Sequence, residues 1–520
     1  TKVVWDTYDL CVYNNTVSSA FQLRTLDVNN ANATVTGAVT FNLDGGSGGK
    51  FYGDTGCSNQ IITAPINASE SLSGVIYYRN TNAGTTAYAT AVDLNGTWTE
   101  ANQSVAVSPT VQLWGGGSII GNYTTIAAAE AAAVPYDTIK VLPGTYQPTS
   151  TITIDVPHLT LQSTGGAATT IINGSALSTV FTIAANNATL GGDGTGLTIN
   201  GTVGTTTAIK ISKAGGISDV TIQDNTLTNN SKGINVLATG VVGMNATNIT
   251  INGNTITVSR TSTWTEGIVF GADEADADKL CNSLITENTI SNCSEGISLY
   301  AVNNTVISNN TVPDCRYTGI AIDRRAGTDT NNVTISGNTV TNVTGDTWST
   351  GIAVDKRGSV HGCTANVSNI TLTGNTVTGC TINIAFVREP DGTPISTPNL
   401  GTITVLHNNI LSSKEYGLYN NNTVTLDATL NWWGNVTGPS AGTGTHASSA
   451  IGSGDAVSTY VTYSPWLSAA YPGGNSTTNA TFSLKSNWNF MSVPKKLENA
   501  TFGWLLSGIS FTTAWGYNAS

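Results

Sequence analysis

A six-residue motif returns seven times between residues 222 and 410, and it restricts the chain to folds built by stacking one unit on the next. Each copy has an apolar residue, two spacers, Asn, one spacer and a β-branched or Leu residue. The copies are Ile222…Asn225-Thr-Leu227, Ile251…Asn254-Thr-Ile256, Ile285…Asn288-Thr-Ile290, Ile307…Asn310-Thr-Val312, Ile335…Asn338-Thr-Val340, Leu372…Asn375-Thr-Val377 and Val405…Asn408-Asn-Ile410. Gly-Ile or Gly-Leu follows most of them, at Gly233, Gly267, Gly296, Gly319, Gly351 and Gly417, and Asn383-Ile384 fills that place in the sixth copy. Successive Asn residues are 29, 34, 22, 28, 37 and 33 apart. The shortest spacing is close to one bare coil of a right-handed parallel β-helix, so the longer ones carry loops.

Alternating β-branched residues predict short strands with one face in a core, and the density of Thr, Asn, Gly and Val weighs against helix. The motif Asn is expected at a left-handed turn position, which Asn tolerates better than most residues, with side chains hydrogen-bonded from coil to coil. The competing fold is a β-sandwich with chance motif matches.

Upstream, Thr125-Ile-Ala-Ala-Ala-Glu-Ala-Ala-Ala133 is the one strongly helical run, followed by Asp137-Thr-Ile-Lys-Val-Leu-Pro-Gly-Thr-Tyr146. Downstream come Asn431-Trp-Trp-Gly-Asn435, Gly438-Pro-Ser440 and Tyr463-Ser-Pro-Trp-Leu467. These segments resemble the entry and closing coils of the pectate-lyase-like β-helix families, especially the NosD-like surface proteins. The resemblance spans about residues 120 to 468 and implies a fold rather than an activity. Phe482-Ser-Leu-Lys-Ser-Asn-Trp-Asn-Phe-Met-Ser-Val-Pro494 and Ala514-Trp-Gly-Tyr517 resemble the opening of a β-module found on surface proteins of methanogenic archaea, and the chain stops where that pattern would continue. The expected organisation is all-β. An N-terminal sandwich-like domain covers 1–112, a parallel β-helix with a capping helix 113–468, a Gly/Ser/Thr/Asn linker 469–480 and an incomplete β-module 481–520. Eleven or twelve coils at about 4.8 Å each give a rod on the order of 55 Å long.

Only 10% of residues are charged, with a net charge of -12, and no apolar run is long enough to span a bilayer. Something other than ionic groups must keep such a surface soluble. The 25 Asn-x-Ser/Thr acceptors suggest glycan; among them are Asn14, Asn32, Asn67, Asn95, Asn122, Asn245, Asn303, Asn332, Asn366, Asn435, Asn475 and Asn518. An exported, cell-surface glycoprotein is therefore expected, already processed, since neither a signal peptide nor a lipidation motif is present. Scarce Lys and Arg argue against nucleic acid as a partner. Of seven cysteines, Cys11 and Cys57 are the two in the N-terminal domain and are expected to pair. Cys293, Cys315 and Cys380 each lie five residues after a motif Asn. Cys293 and Cys315 fall in register on adjacent coils, within reach of a disulfide by Cα spacing, but parallel side chains point the same way and a reduced, buried ladder is expected. Cys281 and Cys363 lie in loops, and the odd total leaves at least one thiol unpaired.

Aligning three coils on Gly-Ile stacks Asp323 with Asp355 and Arg324 with Lys356 and Arg388, beside Arg325, Arg357 and Glu389. Polysaccharide lyases and glycosidases of this superfamily use such rows: carboxylates bind calcium or act as acid and base, and basic groups stabilise or abstract. The alternative is a solvated salt-bridge ladder at a corner. Asp273, Asp276 and Asp278 form the densest acidic run, either a weak Ca²⁺ site or a bare acidic loop. Trp264 and Trp348 stand three residues before Gly267 and Gly351; they either stack on sugars, bury at a subunit contact, or fold back over their own coils. His158, His361, His407 and His446 match no metal spacing. Two functions follow from these features. One is a structural glycoprotein that self-assembles into a surface layer, sheath or filament and contacts envelope polysaccharide. The other is a carbohydrate-active enzyme or glycan-binding adhesin using the Asp323 face.

Overall fold

The computed structural model describes residues 2–477 except 7–9, 14–17, 19, 47, 81–85, 94–97, 109, 237–244, 259–263, 272–278, 324–328, 355–365, 387–400 and 444–445, with backbone alone at 10–13, 86–88 and 106–108. Residues 478–520 form a second unit that lies outside the described residues.

From Val111 onward the chain winds as a right-handed parallel β-helix with three sheets running along the rod. Its β-branched residues alternate inward as expected: Ile251, Ile285, Ile307 and Ile335 line up in the first sheet. Ile256, Ile290, Val312 and Val340 belong to the second, and Ile268, Ile297, Ile320 and Ile352 to the third. All pack in one continuous core running from Val111 to Val457. The recurring Gly of Gly-Ile sits where the third sheet approaches the second. A Cβ on Gly351 would meet Val377 Cγ1 at 2.5 Å and the Asn383 carbonyl at 2.6 Å, so no side chain fits there.

The motif Asn residues do more than turn the chain. In the column Asn225, Asn254, Asn288, Asn310, Asn338, Asn375, Asn408 and Asn431, each amide oxygen from Asn254 onward accepts from both the backbone N–H and the Nδ2 of the preceding rung. Each Nδ2 from Asn254 to Asn408 also donates to the carbonyl of the previous coil's motif apolar residue, as Asn338 does to Ile307 at 2.9 Å. The expected left-handed turn is present but displaced by one residue. Asp224, Gly253, Glu287, Asn309, Gly337, Gly374, His407 and Leu430 take the positive φ, because the Asn side chain must point inward to bond and the residue before it absorbs the reversal.

Both ends of the solenoid are covered. Val111–Gly115 pairs antiparallel with Thr138–Val141 on one side and with Ser118–Tyr123 on the other, and the latter strand ends the first sheet. A helix, Ile126–Glu130, packs Ile126 and Ala129 over that end; it is shorter than the Ala-rich run suggests. Thr125 caps it by accepting from the Ala128 N–H at 3.1 Å. At the far end Trp433 is fully buried. The stretch 466–477 returns to the rod, where Leu467 N–H donates to Asn431 and Tyr471 exchanges hydrogen bonds with Asn409. Such coverage blocks edge-to-edge pairing.

Residues before Val111 build a separate aromatic core from small, mainly antiparallel sheets, with Trp5 stacked on Phe51 at 5.5 Å. Cys57 sits at a turn with φ 52 as a free thiol. That turn is held by Asp54, whose carboxylate accepts from the backbone N–H groups of Ser58 and Asn59, and the pairing expected between Cys57 and Cys11 falls on a side chain, that of Cys11, outside the described residues. No helix among the described residues is long and apolar enough to cross a membrane.

Asn338→Ala strips the Ile307 carbonyl and the Asn310 amide of buried partners and should cost about 2–4 kcal/mol, measured by denaturant melts of the same preparation. Thr339→Ala, at an exposed position on the second sheet, should cost under about 0.5 kcal/mol. Gly351→Ala should lower soluble yield sharply, because the blocking atoms include backbone.

Candidate functional site

The three outer faces differ in chemistry. On the second sheet, Thr198, Thr226, Thr255, Thr289, Thr311, Thr339 and Thr376 stack in register. No charged residue occurs in its strands from Thr198–Asn200 to Asn409–Leu411. The third sheet and the corner leading into it collect the charged and aromatic groups. Lys232, Glu266 and Glu295 stand in register on successive coils. Lys232 Nζ bonds Glu266 Oε2 at 2.7 Å, and Ser298 Oγ donates to Glu295 Oε2 at 2.7 Å. Both carboxylates are buried, and burial without partners would be costly, which accounts for those bonds.

At the corner before this sheet, Trp264 stacks on Tyr317 with ring centroids 5.2 Å apart and planes 20° from parallel. The Arg316 guanidinium lies 4.8 Å from the Tyr317 ring centroid. Trp264 remains 48% exposed. Trp348 behaves differently: it packs against Tyr419 and joins Ile382, Ala385 and Tyr416 in a small cluster on the outer side of the sheet. Trp264 is thus stacked along the rod and partly exposed, whereas Trp348 packs against the outer side of the sheet.

Farther along the same corner a cleft of about 480 Å³ opens, lined by Ser413, Glu415, Trp433, Ser440, Ser453 and Asp455 among others. Glu415 donates its backbone N–H to Thr381, placing it on the corner line that also carries Tyr317. Asp455 is held from beneath. One carboxylate oxygen accepts from the Ser413 backbone N–H at 2.7 Å and from the Ser413 hydroxyl. Its other oxygen lies toward Gly434, where an added Cβ would stand 3.8 Å away. Burial pushes the Asp455 carboxyl above its ordinary 3.8, against the opposing pull of the Ser413 and Ser412 hydrogen bonds. The indole N–H of Trp433 has no hydrogen-bond partner among the described residues. Polar walls, hydroxyls and an acid with raised pKa suit a polyhydroxylated ligand and proton transfer to it.

Of the residues expected to form a catalytic row, Asp323 ends the strand Thr318–Asp323, buried and in register with Tyr300. The Gly-Ile alignment behind that row is realised, with Ile320 opposite Ile352 and Ile352 opposite Ile384. Arg324, Asp355, Lys356 and Arg388 lie outside the described residues, as do Asp273, Asp276 and Asp278 of the expected calcium loop. Among the described residues no group of three His, Cys, Asp or Glu is placed to hold a metal. Sequence reasoning did not find Asp455 or Glu415. Gly454-Asp455-Ala456 carries no motif, and only the return of residues 439–457 to the third sheet brings Asp455 beside Ser413. The acceptors Asn32, Asn67, Asn122, Asn245, Asn332, Asn366 and Asn475 are exposed, and Asn303 and Asn435 partly so; Asn14, Asn95 and Asn518 lie outside the described residues.

A family model described as a right-handed β-helix region matches residues 235–365. No curated protein sequence matches the chain. Among solved structures, the catalytic domain of a GH87 α-1,3-glucanase in complex with nigerose is 13% identical, covers 80% of this chain and 86% of its own, and gives a TM-score of 0.38. A periplasmic alginate epimerase is 13% identical over 59% of this chain and 82% of its own, at 0.34. The Dettilon tailspike protein is 16% identical over 65% and 64%, at 0.39. At these values no activity passes from them to this chain.

Because its folded pKa is raised, Asp455 contributes stability that is full below the unfolded pKa and lost as pH rises through the folded one. The melting temperature of Asp455→Asn relative to the unsubstituted protein should therefore rise from pH 3 to pH 7, read by calorimetry. A flat difference would place the carboxyl in solvent.

Proposed function

We propose that this is an extracellular β-helix protein that engages polysaccharide along the corner of its third sheet and acts on it at the Asp455 cleft. The observation that carries this reading is a carboxyl of raised pKa on the wall of a hydroxyl-lined cleft, with a second carboxyl, Glu415, at its rim. Glycoside cleavage needs one carboxylic acid that keeps its proton near working pH and a second carboxylate as base or nucleophile. Asp455 has the environment of the first and Glu415 the solvent-facing placement of the second. Tyr317 lies three coils and Trp264 five coils before Glu415 on this corner, about 14 and about 24 Å along the rod, where an aromatic face adds a stacking subsite for a long chain.

Exposure of seven of the acceptor asparagines favours a second reading that shares the same location, in which the protein is a glycosylated structural component of an envelope that assembles with itself. The two readings separate on one preparation. Neutral polysaccharides are screened by reducing-end release and by affinity electrophoresis, alongside electron microscopy of the native material. If the cleft acts, Asp455→Ala should lower turnover at least about 100-fold, and Trp264→Ala should weaken retention on long chains while leaving short oligosaccharides unaffected. Ordered arrays with neither binding nor release would establish the structural reading.

A further inference from the structure

The column of residues four places after the first Thr of each second-sheet strand runs Cys293, Cys315, Val343, Cys380. Cys293 and Cys315 are both fully buried, and their Sγ atoms stand 2.7 Å apart. That is shorter than the separation two non-bonded sulfurs keep and longer than the ~2.05 Å of a disulfide, so the two sulfurs are in contact but not joined in this structure. The coils around them are in backbone register, with the Arg316 N–H donating to the Cys293 carbonyl at 2.8 Å. A parallel coil spacing of about 4.8 Å lies within the Cα range that a disulfide spans. The two side chains have therefore turned toward each other along the rod, contrary to the parallel orientation that favoured a reduced ladder. We propose that Cys293 and Cys315 are joined by a disulfide in the mature protein. The bond would turn the 22-residue coil between them, the shortest motif spacing, into a covalent ring.

The chemistry requires a disulfide oxidant, either a low-molecular-weight disulfide or an oxidoreductase in its disulfide form. One cysteine thiolate attacks a sulfur of the oxidant and displaces a thiol; the second thiolate then attacks the mixed disulfide and displaces the other. Two S–H bonds are lost, one S–S bond forms, and the oxidant takes up two electrons and two protons. Neither sulfur is accessible once the coils have closed, so the bond forms during folding and afterwards resists reductants until the rod unfolds. Cys380 is separated from the pair by Val343 and is pushed up to about 12 by burial, which keeps it in the unreactive thiol form.

The test uses the full chain secreted into an oxidising compartment. It is alkylated in denaturant without reduction, digested and mapped by mass spectrometry. The expected result is one linked peptide joining Cys293 to Cys315, two hydrogens lighter than the separate peptides, with Cys57, Cys281 and Cys380 alkylated. Reductant should open the link in denatured protein and leave it intact in native protein. With reductant present throughout the melt the melting temperature should fall by a few degrees, and Cys293→Ala/Cys315→Ala should show no such fall. Alkylation of both Cys293 and Cys315 without reduction would overturn the proposal, as would either of them linked to a different cysteine.

Discussion

The rod depends on a buried amide column. An Asn side chain carries two donors and an acceptor on a short stem, and each rung from Asn254 to Asn408 uses them on the coil before and the coil after, with Asn254, Asn288, Asn310, Asn338 and Asn408 also bonding their own turns. Buried polar groups are tolerable only when satisfied, and a chain of them polarises along its length. Asp has no donor for the carbonyls, Gln is a methylene too long for the turn, and Ser has too few groups, so the position is specific for Asn. Hydrophobic columns alone would let one coil slide by two residues against the next and bury an equivalent face. A rung that bonds both neighbours fixes the register that the Ile and Val columns then fill.

With register fixed, the outer faces are released from holding the fold together, and they have diverged. The second sheet presents uncharged Thr along its length, whereas the third carries buried carboxylates with matched donors, aromatic rings and the entrance to the Asp455 cleft. Placing titratable groups on a rigid wall gives them fixed geometry without loop ordering, which is the condition for both tight sugar contacts and proton transfer.

Most of the fold was legible in the chain because its period is local. The seven motifs, the Gly-Ile positions and the capping helix each reflect contacts with the next coil, so spacing alone locates them. The left-handed residue was misplaced by one, since composition shows that Asn tolerates positive φ but not that its side chain is needed inside. The candidate site was poorly legible for the opposite reason. Glu415 and Asp455 are 40 residues apart, belong to no repeat, and meet only because the closing segment returns to the third sheet. Trp264 was visible as an unusual residue, yet its stacking on Tyr317 skips a coil, and no pattern of single positions encodes that.

The coil lengths have their own consequence. The residues that make one spacing 22 and another 37 enter chiefly after the third-sheet strands, as between Val354 and Val367, whereas Tyr300 and Val302 are almost contiguous. Length is thus inserted at a junction that the Asn column does not cross, and the rungs before and after remain one coil apart. The chain behaves as a ruler whose divisions stay constant while the attachments at one margin change, so the position of a new loop along the axis is set by its place in the count of rungs and not by its own sequence.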